Sequence, residues 1–130
     1  MMSDVNHAKR RPTDAELAIL AILWRRGPST VREVTDALGR DTGYTTALKL
    51  LQIMTEKGLV ARDESARTHV YEAAVSADET QRHLVSDLLE RAFNGSAAQL
   101  VLQALAAKKA SPAELAAIRR LLDQHKAGTK

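Results

Sequence analysis

The segment YTTALKLLQIMTEKG, residues 44–58, has the pattern of a helix with two unlike faces. Successive residues of an α-helix are about 100° apart around its axis. One face is therefore apolar and consists of Ala47, Leu50, Leu51 and Met54. The opposite face is polar and consists of Thr45, Lys49, Gln52 and Glu56, with Leu48 between the two. Because a glycine such as Gly58 is typical of a helix C-terminus, we predict a helix over Tyr44–Lys57 that packs by one face only.

Two further helices are predicted on the N-terminal side of this segment, and each begins with a capping box. In a Thr-x-x-Glu sequence the two side chains bond to each other's backbone N–H groups and so start a helix. Thr13 with Glu16 predicts one such start, and Thr30 with Glu33 predicts another. Gly27-Pro28 separates the two helices. The helix over 44–57 is therefore the third of the chain.

On the C-terminal side the spacing of apolar residues changes from that of a helix to that of a strand. Residues 59–62 are short and mostly apolar, and residues 68–73 alternate between polar and apolar. A charged turn at 63–67 lies between them. This pattern predicts a two-stranded hairpin. Three helices followed by a hairpin is the order of a winged helix-turn-helix.

Three more helices are predicted after the hairpin. Ser76 with Glu79 and Ser111 with Glu114 have the spacing of helix starts, and residues 94–96 interrupt the helical pattern. The apolar faces of these helices are larger than one small tail can hide, so we predict that two copies interlock. The fold class predicted is mainly α: a winged helix-turn-helix with three helices and a two-stranded wing, followed by a three-helix C-terminal dimerisation region. The predicted domains are a flexible basic N-terminal arm (1–9), the winged helix-turn-helix (10–75), the dimerisation domain (76–126) and a tail (127–130).

The composition restricts the class of function. The 130 residues carry 19 Lys and Arg against 16 Asp and Glu, which permits an anionic partner without indicating one. Cysteine is absent, so disulfides, thiolate metal sites and cysteine nucleophiles are excluded. One Trp, two Tyr and one Phe are too few for a surface that stacks single-stranded bases. The sequence shows neither a signal peptide nor an apolar run of about 18 residues, so we expect a cytoplasmic protein.

No catalytic constellation is visible in the sequence. It contains no glycine-rich phosphate loop and no paired-histidine helix motif. None of the four histidines neighbours another along the chain. We therefore expect a protein that is not an enzyme and that has no cofactor or metal site.

The polar face of the helix over 44–57 is the candidate for DNA recognition. A recognition helix needs one apolar face to seat it and an opposite face of short polar and cationic side chains that enters the major groove. Thr45 and Thr46 can bond phosphates or bases, or touch thymine methyl groups. Lys49 can reach a guanine edge or a phosphate, and Gln52 can pair with adenine. The same residue types suit an ordinary solvated helix, so this face alone leaves both interpretations open.

Cations near this helix favour the DNA interpretation. Lys9-Arg10-Arg11 forms a basic arm, and Arg62 and Arg67 lie on the hairpin, where a wing follows the DNA backbone. Ser29-Thr30 places hydroxyl and amide groups at a helix N-terminus, which suits phosphate binding. Residues 1–75 nevertheless hold 11 Lys and Arg against 10 Asp and Glu. Affinity for DNA therefore has to come from the placement of these cations and from dimerisation.

Several motifs together resemble the penicillinase-repressor family (BlaI/MecI/CopY). They are TDAELAIL at 13–20 with Leu23-Trp24, TVREV at 30–34, GYTTAL at 43–48 and EKGLV at 56–60. The resemblance covers nearly the whole chain. It implies a homodimeric transcriptional repressor, in which each winged helix reads one half of an inverted repeat and the C-terminal helices form the dimer.

The resemblance also implies roles for individual residues. The base-facing residues are Thr45, Thr46, Leu48 and Lys49. The phosphate-binding residues are Arg10, Thr13, Thr30, Tyr44, Arg62 and Arg67. The dimer interface consists of Leu84, Leu88, Leu100, Leu105, Leu115, Ile118 and Leu122. The implied partners are double-stranded operator DNA and a second copy of the chain.

Two departures from the family pattern concern the release of repression. The beta-lactam-responsive members are cut at an Asn-Phe bond, where this chain has Gln103-Ala104. We expect release by proteolysis, with a membrane sensor-protease as the partner, or by loosening of the C-terminal helices. The copper-responsive members end in Cys-x-Cys pairs, so the absence of cysteine excludes thiolate sensing here. Two alternative functions stay open: a winged-helix module that binds protein, and a ligand-gated winged-helix regulator of another family.

Overall fold

The computed structural model describes residues 11–128. The predicted N-terminal arm, Arg10 and residues 129–130 lie outside the described residues. The helices of the described chain are α1 (Asp14–Arg26), α2 (Val31–Leu38), α3 (Tyr44–Lys57), α4 (Ala77–Arg91), α5 (Ala97–Ala107) and α6 (Pro112–Gly128). The strands are β1 (Ser29–Thr30), β2 (Val60–Asp63) and β3 (Val70–Ala73). A mainly helical chain with a small antiparallel sheet confirms the predicted fold class.

Both predicted capping boxes are formed. Oγ1 of Thr13 accepts from the N–H of Glu16 at 3.2 Å, and the carboxylate of Glu16 accepts from the N–H of Thr13 at 2.9 Å. Thr30 and Glu33 make the same two bonds at 3.2 and 2.9 Å. α3 ends at Gly58, which takes the left-handed conformation with φ of 81° and donates its N–H to carbonyls of the last turn. The helix bounds predicted for α3 are confirmed.

The predicted hairpin is formed by β2 and β3, which pair antiparallel with Val60 opposite Ala73 and Asp63 opposite Val70. β1 pairs with the other edge of β3, so the order of the sheet is β1-β3-β2. β1 was not predicted from the sequence, because two residues between helices are too few to show an alternating pattern. This extra pairing places the start of α2 beside the central strand of the sheet.

The chain divides into two compact units, the first ending at Val85 and the second beginning at Ser86. The core of the first unit is formed by α1, α2, α3 and the sheet. Its completely buried side chains, each with 0% of the surface exposed, are Ile19, Leu20, Val34, Ala47, Leu51 and Met54. The buried face predicted for α3 is therefore confirmed at three positions, whereas Leu50 is only partly buried.

Trp24 fixes the segment that follows the sheet. Its indole N–H donates to the carbonyl of Val75 at 2.9 Å, and both side chains pack against the core. This bond ties the C-terminal part of α1 to the segment between β3 and α4.

The helices after the sheet begin at serine caps. Ser76, Ser96 and Ser111 each accept a hydrogen bond from the backbone N–H three residues later, at 3.0 to 3.1 Å. α4 and α5 are separated by Asn94 and Gly95, which both have positive φ. In the second unit, no residue between Ser86 and Lys126 is buried. Its apolar side chains are therefore more exposed to solvent than those that form the core of the first unit.

Two kinds of feature are absent from residues 11–128. No helix there is both long enough and apolar enough to cross a bilayer. No group of His, Asp or Glu side chains there is placed to hold a metal ion.

Candidate nucleic-acid interface

The polar face of α3 is open to solvent. Thr45, Thr46, Lys49 and Gln52 are all exposed. Leu48, which the sequence places between the two faces, is partly buried. The burial of Ala47 and Leu51 seats the helix on the core, so the exposed side chains project from a fixed support. This is the arrangement that a recognition helix requires.

Arg32 on α2 contacts the first residue of α3. Its guanidinium carbon lies 5.7 Å from the centre of the Tyr44 ring, and Tyr44 is 47% exposed. A cation over an aromatic ring is attracted by the negative face of the ring. Arg32 could not be predicted as part of the site from the sequence, because the contact depends on how α2 packs against α3.

A groove runs between α2, α3 and the β2–β3 turn, and we call it the wing groove. Its described lining residues are Thr30, Val31, Arg32, Tyr44, Leu48, Arg67, Thr68, His69 and Tyr71. Four predicted DNA contacts, Thr30, Tyr44, Leu48 and Arg67, therefore meet in one place. Arg32, Thr68 and His69 join them without having been predicted. The wing groove has a volume of about 420 Å³.

The two arginines predicted on the wing have different surroundings. Nη2 and Nε of Arg62 donate to Oε2 of Glu64 at 2.7 and 2.9 Å. The hydrogen bonds to Glu64 and Tyr71 raise the pKa of Arg62 further above its ordinary value. Arg67, in contrast, has no ion pair with any residue from 11 to 128 and lines the wing groove. The positive charge of Arg62 is thus partly neutralised by the wing itself.

The predicted helix N-terminus at Ser29-Thr30 is largely occupied by the chain. Ser29 is only 2% exposed, and its hydroxyl donates to the carbonyl of Gly27 at 2.9 Å, so it does not reach a ligand. The N–H of Thr30 donates to Glu33, and this bond lowers the pKa of the Glu33 carboxyl below its ordinary value. The amide that the sequence suggested for a phosphate is therefore already bonded to a carboxylate.

Thr13 is also engaged in its cap. Its Oγ1 accepts from Glu16, which leaves the hydroxyl proton available to an acceptor outside the chain. Arg10 lies outside the described residues.

The residues predicted for the dimer interface are exposed or half-buried. Leu88, Leu105, Leu115 and Leu122 are exposed by 36% or more, while Leu84, Leu100 and Ile118 are partly buried. Val101, Leu102 and Leu121 are also exposed. Gln103 and Ala104 are exposed within α5.

The sequence is similar over nearly its whole length to one family. The model of the family described as Penicillinase repressor matches residues 12–124. The transcriptional regulator BlaI of Mycobacterium tuberculosis is 35% identical over 118 residues, which cover 88% of this chain and 85% of that protein. The penicillinase repressor of Bacillus licheniformis is 23% identical over 116 residues, with 88% of this chain and 91% of that protein covered.

The fold is similar to that of solved DNA-binding domains. The solution structure of a homodimeric winged helix-turn-helix DNA-binding domain from Mycobacterium bovis matches with a TM-score of 0.50 and 23% identity. The match covers 66% of this chain and 76% of that chain. The comparison supports the winged helix-turn-helix fold.

Proposed function

The chain belongs to the penicillinase repressor family, and on this premise we propose that it is a homodimer that represses transcription by occupying a palindromic operator. The family consists of DNA-binding transcriptional repressors, so the chain is a repressor and not an enzyme. In the proposed complex each copy contributes one winged helix, and each winged helix reads one half-site. The half-sites are spaced by about one helical turn of DNA or a small multiple of it.

The observation that carries this proposal is the exposed face of α3. Thr45 and Thr46 in its first turn and Lys49 one turn later are exposed there, and in the proposed complex they contact base edges in the major groove. Lysine can donate to the O6 and N7 atoms of guanine, and a threonine methyl group can contact the methyl group of thymine. Leu48, at the edge of this face, adds an apolar contact.

Residues around α3 hold the DNA backbone and set the register of the complex. Tyr44 and Arg67 lie in the wing groove, and Thr30 and Thr13 contribute hydroxyl groups. Arg62 exchanges its partner Glu64 for a phosphate when DNA binds. Arg10 contributes from the N-terminal arm. Such contacts fix position and orientation without reading sequence.

The second unit, together with Leu84 near the end of the first unit, supplies the dimer interface. No residue between Ser86 and Lys126 is buried, although α5 and α6 carry many leucines. Short isolated helices are marginal in water and need packing against an apolar surface. The same unit of a second copy provides such a surface. The residues that we assign to the interface are Leu84, Leu88, Leu100, Leu105, Leu115, Ile118 and Leu122.

Repression ends when the C-terminal helices are cut or loosened. Linked heads bind an operator more tightly than separate heads, because the second contact is intramolecular. Cleavage between Gln103 and Ala104 by a membrane sensor-protease would divide α5 and so remove the link. This mode of release follows from the dimer and needs no ligand.

The test is a gel-shift titration of the full chain with duplexes from upstream of its own gene. Lys49→Ala is expected to weaken specific binding by about 1–3 kcal/mol and to relax base preference at one position of each half-site. Lys109→Ala, an exposed lysine after α5, is the matched control. Unchanged affinity and base preference in Lys49→Ala would contradict the proposal that α3 recognises the bases of the operator. Absence of DNA binding even at low salt would favour a protein partner instead.

A further inference from the structure

The wing groove has positive charge in its lining and no negative charge among the described residues. It contains Arg32, Arg67 and His69 but neither Asp nor Glu. Residues 1–75 as a whole are nearly neutral, with 11 Lys and Arg against 10 Asp and Glu. The lining itself contains no carboxylate: Glu33 bonds the backbone N–H of the lining residue Thr30, and Glu64 pairs with Arg62 on the wing. An anion is the ligand that such a lining favours.

Arg32 is the cation in this groove that packs against an aromatic ring. The Tyr44 ring lies 5.7 Å from its guanidinium carbon and restricts where the group can go. Arg32 forms no ion pair within the described chain, whereas Arg26 lies 3.8 Å from Glu33 and Arg62 lies 2.7 Å from Glu64. Its N–H donors are therefore not used by residues 11–128 and are open to a ligand. Arginine binds phosphate oxygens through two parallel hydrogen bonds.

The geometry points to the wing groove as the site of one DNA backbone phosphate, with Arg32 as its principal donor and Tyr44 as the residue that positions Arg32. Arg67 and the hydroxyl of Thr68 bind the same phosphate from the wing. This inference rests on the proposed function, because Tyr44 directly precedes the base-facing Thr45. A strand whose bases meet the first turn of α3 passes its backbone beside the groove.

The first consequence concerns sequence preference. A phosphate contact changes affinity without changing specificity. Arg32→Gln is therefore expected to weaken binding to an operator and to an unrelated duplex by the same factor, about tenfold for each head. The slope of log affinity against log salt is expected to fall by about 0.9 for each head. The matched control is Arg25→Gln, which changes the net charge equally at an exposed arginine on α1 outside the groove.

The second consequence concerns the role of the Tyr44 ring. Tyr44→Phe keeps the ring and removes only the hydroxyl, so Arg32→Gln should have its full effect in that background. Tyr44→Leu removes the ring, so the guanidinium is no longer held and Arg32→Gln should have little additional effect. A merely structural role of Tyr44 predicts additive losses in both backgrounds, because independent sites add.

The deciding experiment uses the full-length protein and an operator duplex obtained by in vitro selection. Each duplex of a series carries two neutral methylphosphonate linkages, one at the same backbone position of each half-site, and this position differs from duplex to duplex. At one position the pair of neutral linkages should weaken wild-type binding by about tenfold for each head, and Arg32→Gln should then cause no further loss. Equal losses for Arg32→Gln on every duplex, or wild-type affinity for Arg32→Gln on the unmodified duplex, would overturn the assignment. If no sequence is selected and no duplex binds, the proposed function fails as well, which is a distinct result.

Discussion

The carboxylate of Glu16 at the start of α1 accepts two hydrogen bonds from Nζ of Lys57 at the end of α3, at 2.8 and 2.9 Å. Glu16 is only 2% exposed, and it accepts a third bond from the N–H of Thr13 at 2.9 Å. One carboxylate therefore caps α1 and anchors the C-terminal end of the proposed recognition helix. The direction of α3 depends on this pair as well as on the apolar core.

The two partners of this pair should differ in their effect on stability. Lys57→Met leaves a buried carboxylate without its counter-charge and is expected to cost about 3–5 kcal/mol of the free energy of unfolding. Glu16→Gln keeps an acceptor for Thr13 and leaves a lysine that is 30% exposed, so the expected cost is about 1–3 kcal/mol. Urea denaturation measures both. Arg82→Met, which breaks an exposed pair with Asp78, should cost at most about 1 kcal/mol. Equal costs for Lys57→Met and Arg82→Met would show that the buried pair contributes no more to the free energy of unfolding than an exposed pair does.

The helices and the hairpin could be predicted because their signals are local. Thr13 with Glu16, Thr30 with Glu33, and Gly58 each act within a few residues of their own position in the chain, and the structure shows all of them in the predicted role. The apolar face of α3 was visible for the same reason. Leu50 packs against the core as predicted but is only partly buried, because at the margin of that face the packing of neighbouring elements decides burial.

Only part of the candidate site could be predicted from the sequence, because its remaining contacts join residues that are far apart along the chain. Arg32 meets Tyr44 through the packing of α2 against α3. The sheet places Arg67 and the rest of the wing beside the same groove, and its third strand, β1, was not predicted. A single sequence shows which residues are cationic, but it does not show which of them have acidic partners.

The start of α2 should contribute less stability in acid. The N–H of Thr30, together with the Thr30 hydroxyl and Arg26, holds the pKa of Glu33 below its ordinary value of 4.5. The native state therefore binds this proton less readily than the unfolded state, so the stabilisation is present above about pH 4.5 and is lost as the pH falls below that value. Glu33→Gln should reduce the decrease in melting temperature between pH 6 and pH 3, as followed by circular dichroism.

The control for this pH dependence is Asp36→Asn on the same helix. Asp36 is exposed and accepts no hydrogen bond from residues 11–128, so its replacement should leave the acid dependence almost unchanged. An equal reduction in both variants would mean that general charge, and not the capping box, governs the acid response.

Glu64 should limit the affinity of the wing for DNA. Its carboxylate pairs with Arg62 at 2.7 Å, so it both neutralises a cation and repels phosphates. Glu64→Gln is expected to tighten DNA binding by up to about fivefold for each head, since an exposed ion pair is worth at most about 1 kcal/mol. Fluorescence anisotropy with a labelled duplex measures the change. Glu72→Gln alters the net charge equally at an exposed position of β3 and should tighten binding less. In an Arg62→Gln background the gain should be smaller, and a gain of the same size there would show that Arg62 is not involved.

The exposed leucines of α5 should determine both assembly and operator affinity. Leu105 is 40% exposed. No residue from Ser86 to Lys126 is buried. Leu105→Asp places a charge in the proposed interface, so we expect a monomer by light scattering and a loss of about 100-fold or more in affinity for a duplex with two half-sites. Affinity for a duplex with one half-site should be unchanged, because the reading head is intact. Gln99→Asp introduces the same charge elsewhere on α5 and should stay dimeric. A dimeric Leu105→Asp protein, or an equal loss on both duplexes, would place the link between the heads outside α5.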